Sequence, residues 1–99
     1  MKDILVNINK IFESKVRLGV MALLIVEDAV DFNTLKEMLD ITDGNLASHI
    51  AVLEKNKYLK VNKKFMGKKP HTSYTITQAG RKAFQDHLDA MEELIKKTI

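Results

Sequence analysis

After Lys57 the apolar residues of this chain stop recurring at helical spacing and begin to alternate. That one change of period, from 3.6 to 2, splits the sequence into a helical part and a short β part, and so limits the folds open to it. Before the change, Leu46, Ile50 and Leu53 fall within ~60° of one another on a helical wheel and form an inward stripe. After it, Leu59, Val61 and Phe65 alternate with Lys60, Asn62 and Lys64, predicting a half-buried strand. Met66 to His71, punctuated by Gly67 and Pro70, reads as a loop, and Thr72 to Ile76 as the return strand. The two strands make a hairpin with a cationic tip.

Upstream, Ile4, Leu5, Ile8, Ile11 and Phe12 predict a first helix over residues 3–12, with Asp3 as its N-cap. Ser14 caps a second, through about Glu27, whose residues 16–26 are apolar almost all round and so belong at the centre of the fold. Val30 to Phe32 is β-prone and brief enough only for an edge pairing. Asn33 or Thr34 caps a two-turn helix from Leu35 to Leu39, with Glu37 completing a capping box. A turn over Ile41–Gly44 follows, and Thr42 or Asp43 caps the helix that runs to about Asn56. Thr77 caps the last helix, about 78–98. Its Phe84, Leu88, Met91 and Ile95 repeat at spacings of four, three and four, a heptad-like seam widened by Leu94.

The charge is unevenly placed. The net value is +3, yet residues 55–85 hold nine cations and no Asp or Glu, leaving the remainder at −6. A segment so basic suits a polyanion, while the plain alternative is a solvated lysine-rich face. The longest apolar run, Val20 to Val26, is far short of the ~20 residues that span a bilayer. With no leader and no cysteine, the chain reads as a cytoplasmic, nucleoid-associated protein outside any membrane, lacking disulfides and thiolate metal sites.

Together these elements predict one domain over residues 1–99, mainly α with a small β-hairpin. It is a winged helix-turn-helix: the helix pair at about 34–56, the wing at about 58–77, and a C-terminal dimerisation helix at about 78–98. The second helix of such a pair lies in the major groove of duplex DNA. Its outward side carries Gly44, Asn45, Ser48, Ala51, Val52 and Lys55, small or polar with a single charge, where a solvated face is usually richer in Glu and Lys.

The segment NTLKEMLDITDGNLASHIAVLEKNKYL, followed by KKFMGKKPHTSYTITQAGRKAF, resembles the small winged-helix bacterial and archaeal regulators related to the MarR and ArsR groups. The resemblance spans roughly residues 9–90. It is carried by Asp43-Gly44-Asn45-Leu46, His49, Leu53-Glu54 and Thr77-x-x-Gly80-Arg81, collectively specific though each is weak alone. It implies a homodimeric transcriptional regulator on a near-palindromic duplex. The chain departs from the family pattern at Ala47-Ser48, which stands where the family has a Ser-Arg pair. That removes the strongest reader of guanine.

The candidate DNA-binding residues are therefore Thr34, Gly44, Asn45, Ser48, His49, Lys55, Lys64, Lys68, Lys69 and His71. His49 lies on the flank of its helix, where it either donates to a phosphate or bonds within the core. Arg81 is open to an acid of a dimer partner or to the DNA backbone. The candidate dimer residues are Ile4, Leu5, Ile8, Phe84, Leu88, Met91 and Ile95, with packing onto the chain's own helices as the alternative. Any effector pocket would lie between the terminal helices. His49, His71 and His87 have no acid pair at ligand spacing and no cysteine beside them, so no metal is expected, nor any other cofactor. No glycine-rich phosphate loop, nucleophile elbow or HExxH appears, so no enzyme is expected either. The competing class is a protein-interaction module whose hairpin binds an acidic partner.

Overall fold

The computed structural model describes residues 1–99. Helix α1 (Lys2–Leu5) and a 3₁₀ turn (Lys10–Phe12) precede α2 (Lys15–Val26). Strand β1 (Val30–Asp31), α3 (Phe32–Leu39) and α4 (Asp43–Lys55) follow, then β2 (Leu59–Met66), β3 (Lys69–Ile76) and α5 (Gln78–Thr98). The three strands are antiparallel in the order β1-β3-β2, with β1 the expected short edge. No helix is long and apolar enough to cross a membrane.

One apolar cluster joins the elements. Val16, Val20, Met21 and Leu24 of α2 meet Leu35, the α4 stripe Leu46, Ile50 and Leu53, and Leu59 and Tyr74 of the sheet. Helix α2 is central, as its composition requires, although Leu18 and Val26 on its far side stay in water. Ser14 caps α2 and Thr42 caps α4, each side-chain oxygen accepting a backbone N–H three residues on.

The first expected helix is broken. Asn9 is extended; its side chain accepts from the N–H of Ile11, and its own N–H donates to His87 Nδ1 on α5 at 3.0 Å. That bond draws the chain across to α5, so α1 ends at Leu5 and its N-cap is Met1, not Asp3. Helix α3 begins earlier than expected, at Phe32. Asp31 is its cap, accepting from Thr34 N–H at 2.7 Å, so neither Asn33 nor Thr34 caps it and the Thr34–Glu37 capping box does not form. Those hydrogen bonds from Thr34 hold the Asp31 carboxyl below its ordinary pKa.

The wing is longer than its sequence suggests. Met66, Lys69, Pro70 and His71 lie in strands, leaving Gly67 and Lys68 as a two-residue turn. Gly67 alone of the two has a positive φ (67°), the pattern of a type II′ hairpin turn. Phe65, expected half-buried, is exposed because the core ends before it.

The Thr77-x-x-Gly80 motif has a structural cause. Thr77 Oγ1 accepts from Gly80 N–H at 2.9 Å and donates to the Lys57 carbonyl at 2.7 Å, joining the end of α4 to the start of α5. A Cβ on Gly80 would collide with the Tyr58 backbone carbonyl, so only glycine admits this approach.

Candidate nucleic-acid interface

Helix α4 forms because its one apolar stripe seats on α2 and the sheet, and that seating turns the opposite face to solvent. Gly44, Asn45, Ala47, Ser48, Ala51 and Lys55 are all exposed there. The Asn45 carboxamide has no partner within the chain, and its backbone N–H is taken by Thr42 Oγ1 at 3.2 Å. Ser48 Oγ donates to the Asn45 carbonyl at 2.9 Å, so its lone pairs remain to accept. A Cβ on Gly44 would meet nothing within 4 Å, so no internal contact requires a glycine there. Asp43 is bound to Lys36 of α3 at 2.9 Å, which withdraws the one acid nearest this face.

His49 sits half-buried at the edge of the face. Its Nδ1 lies 2.9 Å from Arg17 Nη1, and Arg17 Nε donates to the Ile11 carbonyl at 2.6 Å. The ring therefore bonds inside the chain, the second of the two roles open to it. Burial, and then the neighbouring Arg17 charge, lower its pKa. Arg17 is the residue sequence reasoning missed. The signal was a lone arginine within a helix otherwise apolar.

The wing residues gather beyond the body. Lys64 pairs across the ladder with His71, Lys69 pairs with Met66, and Lys68 occupies the turn. The three lysines are exposed, whereas His71 is half-buried. Thr34 is exposed on the first turn of α3, with its N–H already committed to Asp31.

The expected dimer residues divide into two sets. Phe84, 3% exposed, packs edge-on against Phe12 at 5.3 Å in the chain's own core, and Ile4, also 3% exposed, is buried where α1 meets α5. Neither retains surface for a partner, which corrects their placement on an outer seam. Gly80, Phe84, His87 and Ala90 are buried, whereas Leu88, Met91 and Ile95, along the flank of that buried face, stay 41%, 37% and 50% exposed; Leu5 is 52% exposed and Ile8 half-buried. Between residues 6–10 and α5 lies an open groove of about 670 Å³, lined by Asp86, Asp89 and Glu93 among others.

This architecture has known counterparts. Residues 16–95 match the family described as a winged helix DNA-binding domain. An uncharacterized protein of Methanocaldococcus jannaschii is 38% identical over 87 residues, covering 88% of this chain and 95% of the relative. The structure of a transcriptional regulator homologue from Pyrococcus horikoshii superposes with a TM-score of 0.86 at 33% identity, covering 98% of this chain and 94% of that one. A MarR-family regulator from Enterococcus faecalis shares the fold, with a TM-score of 0.72 at 24% identity over 89% of this chain and 78% of its own. With the helix pair, the basic wing and the closing helix all in place, the chain belongs to the winged-helix DNA-binding domain family of transcriptional regulators.

Proposed function

We propose that this chain acts as a homodimer that binds a specific site in duplex DNA, α4 lying in the major groove and the wing on the flanking backbone and minor groove. The observation that carries this reading is the outer face of α4. It is exposed, almost free of charge and unused by the fold, and it ends beside a hairpin, Leu59–Ile76, that carries five lysines and no acid. Asn45 and Ser48 offer donors and acceptors to base edges, and Gly44 lets the backbone approach. Lys55, Lys64, Lys68 and Lys69 supply phosphate contacts that set register without reading sequence. The outward stripe of α5, with Leu5 and Ile8, joins two copies so that the paired α4 helices stand about one duplex turn, ~34 Å, apart.

The test is binding measured against salt on DNA from upstream of the protein's own gene. Each neutralised phosphate adds about 0.9 to the slope of log affinity against log salt. Lys68→Ala/Lys69→Ala in a dimer removes four charges, so as much as ~3.6 of slope is at stake, and about half of that is expected. Asn45→Ala and Ser48→Ala are expected to weaken the preferred site and spare unrelated DNA. An unchanged slope and affinity for the lysine variant would remove the wing from DNA.

One observation favours a second reading, a protein-interaction module for an acidic partner. The wing exposes Phe65 and Met66, and large apolar side chains of this kind are common anchors of protein interfaces.

A further inference from the structure

Phe65 is 73% exposed at the far end of the wing and takes part in none of the aromatic contacts of the core. Alternation along β2 puts it on the face of Leu59 and Val61, and Pro70 directly opposite continues the face of Tyr74 and Ile76. Strand β1 supports the hairpin only at Ser73 and Tyr74, so from Lys63 outward the ladder has two strands. At ~3.3 Å per residue, Phe65 stands about 13 Å past Val61, beyond the core.

The pairing at the tip is specific. Met66 and Lys69 flank the two-residue turn, so Phe65 and Pro70 form the next pair. There the N–H groups point to the open edges and side chains approach most closely. Pro70 therefore breaks no ladder bond while backing the Phe65 ring with a rigid apolar surface. It also denies its edge the N–H that an added strand would use.

Lys63 shares the face of Phe65 and Lys68 occupies the adjoining turn, while Lys64 and Lys69 flank the pair from the opposite face of the ladder; all four are exposed. An apolar protein surface closing over Phe65 would have to strip water from the ammonium groups of Lys63 and Lys68 without neutralising them. A DNA duplex meets both halves of the tip at once, with phosphates for the lysines and the faces of stacked bases for the ring. We propose that Phe65, backed by Pro70, is a wedge that the wing presses against a base step in the minor groove, partly unstacking it and bending the duplex. The proposal rests on the duplex-DNA reading above. Such a wedge favours pyrimidine–purine steps, which unstack most easily, and so selects sequence at a position no hydrogen bond reads.

The experiment compares the intact protein with Phe65→Ala and Phe65→Leu. The probes are a short end-labelled duplex from upstream of its gene and a shuffled duplex of equal composition. Affinity, salt slope and end-to-end energy transfer are read for each. Phe65→Ala is expected to melt as the wild type does, keep its salt slope, bind about tenfold more weakly and lose the bend. Phe65→Leu is expected to recover most of both. If Phe65→Ala binds and bends DNA as the wild type does, the wedge is overturned and Phe65 passes to a protein partner. If the wild type itself shows no salt-dependent binding to either duplex, the DNA reading fails and takes the wedge with it. Wild-type binding thus separates the two failures.

Discussion

Arg17 and His49 share a single hydrogen. Arginine stays protonated, so at 2.9 Å its Nη1 donates and His49 Nδ1 accepts, which places the proton of the neutral ring on Nε2. The same guanidinium holds the Ile11 carbonyl, so one side chain ties the edge of α4 to the 3₁₀ turn. His49 is thus held as a neutral ring by a partner inside the chain. Arg17→Met removes both the bond and the positive charge, and the His49 pKa is expected to rise toward its ordinary value in an NMR titration. An unmoved pKa would assign the whole depression to burial.

A second histidine makes stability sensitive to acid. His87 is buried against Phe12, and its Nδ1 accepts from Asn9, so protonation would break that bond and charge the core. Burial lowers its pKa, with Glu13 opposing. The unfolded chain then takes up the proton at higher pH than the folded one. His87 therefore leaves stability intact above ~6.5, and stability falls as pH drops from there toward the folded value. Melting temperatures taken from about pH 8 to about pH 5 are expected to fall for the wild type and to fall less for His87→Gln. His49, lowered in the same direction, keeps some slope in that variant. Equal slopes for the two proteins would clear His87.

Gly44 allows stability to be tested apart from the proposed DNA binding. It lies in the first turn of α4, where glycine is a poorer helix former than alanine by up to ~1 kcal/mol, and the space around it is open. Gly44→Ala is expected to raise the unfolding free energy by about 0.5 kcal/mol while weakening DNA binding several-fold, because a methyl group then stands between backbone and bases. Gain in both, measured by denaturation and by titration, would mean that α4 stands clear of the groove.

How far the sequence could be read depended on whether the deciding contacts were local. The α4 stripe, the Ser14, Thr42 and Thr77 caps and the hairpin all follow from neighbours a few residues apart, and all are present. Misses came where a distant partner decided or where one residue serves two elements. The break after α1 depends on His87, 78 residues beyond Asn9, and the early start of α3 on Asp31, which both ends β1 and caps the helix. On α5, spacing alone marked Phe84, Leu88, Met91 and Ile95 as one seam. A helix packed on one side buries a stripe, and only the position of Phe12 decides that Phe84 falls in it. For the candidate interface, the exposure of the polar α4 face and of the wing lysines was legible from residue type. Arg17 was not, since its role depends on α2 passing beside His49.

The stripe left on α5 yields the last prediction. Leu88, Met91 and Ile95 follow one another at spacings of three and four, so they share one side of a helix about 32 Å long. Phe84, His87 and Ala90 are buried, and the three partly exposed residues lie outside the buried core of a single chain. Exposed apolar side chains in a row favour association, at about 25 cal/mol for each Å² covered. Leu88→Asp places a charge at the start of that stripe, midway along α5, where burial against a second copy would cost several kcal/mol. On a lone chain the same aspartate stays in water and costs little. Sedimentation is therefore expected to show a dimer for the wild type and a monomer for Leu88→Asp, with circular dichroism unchanged. Affinity for a two-half-site duplex is expected to fall far more than affinity for one half-site, because one copy no longer brings the other. A Leu88→Asp protein that sediments as a dimer would move the contact between copies elsewhere, and the exposed Leu18 and Val26 of α2 would be the next surface to change.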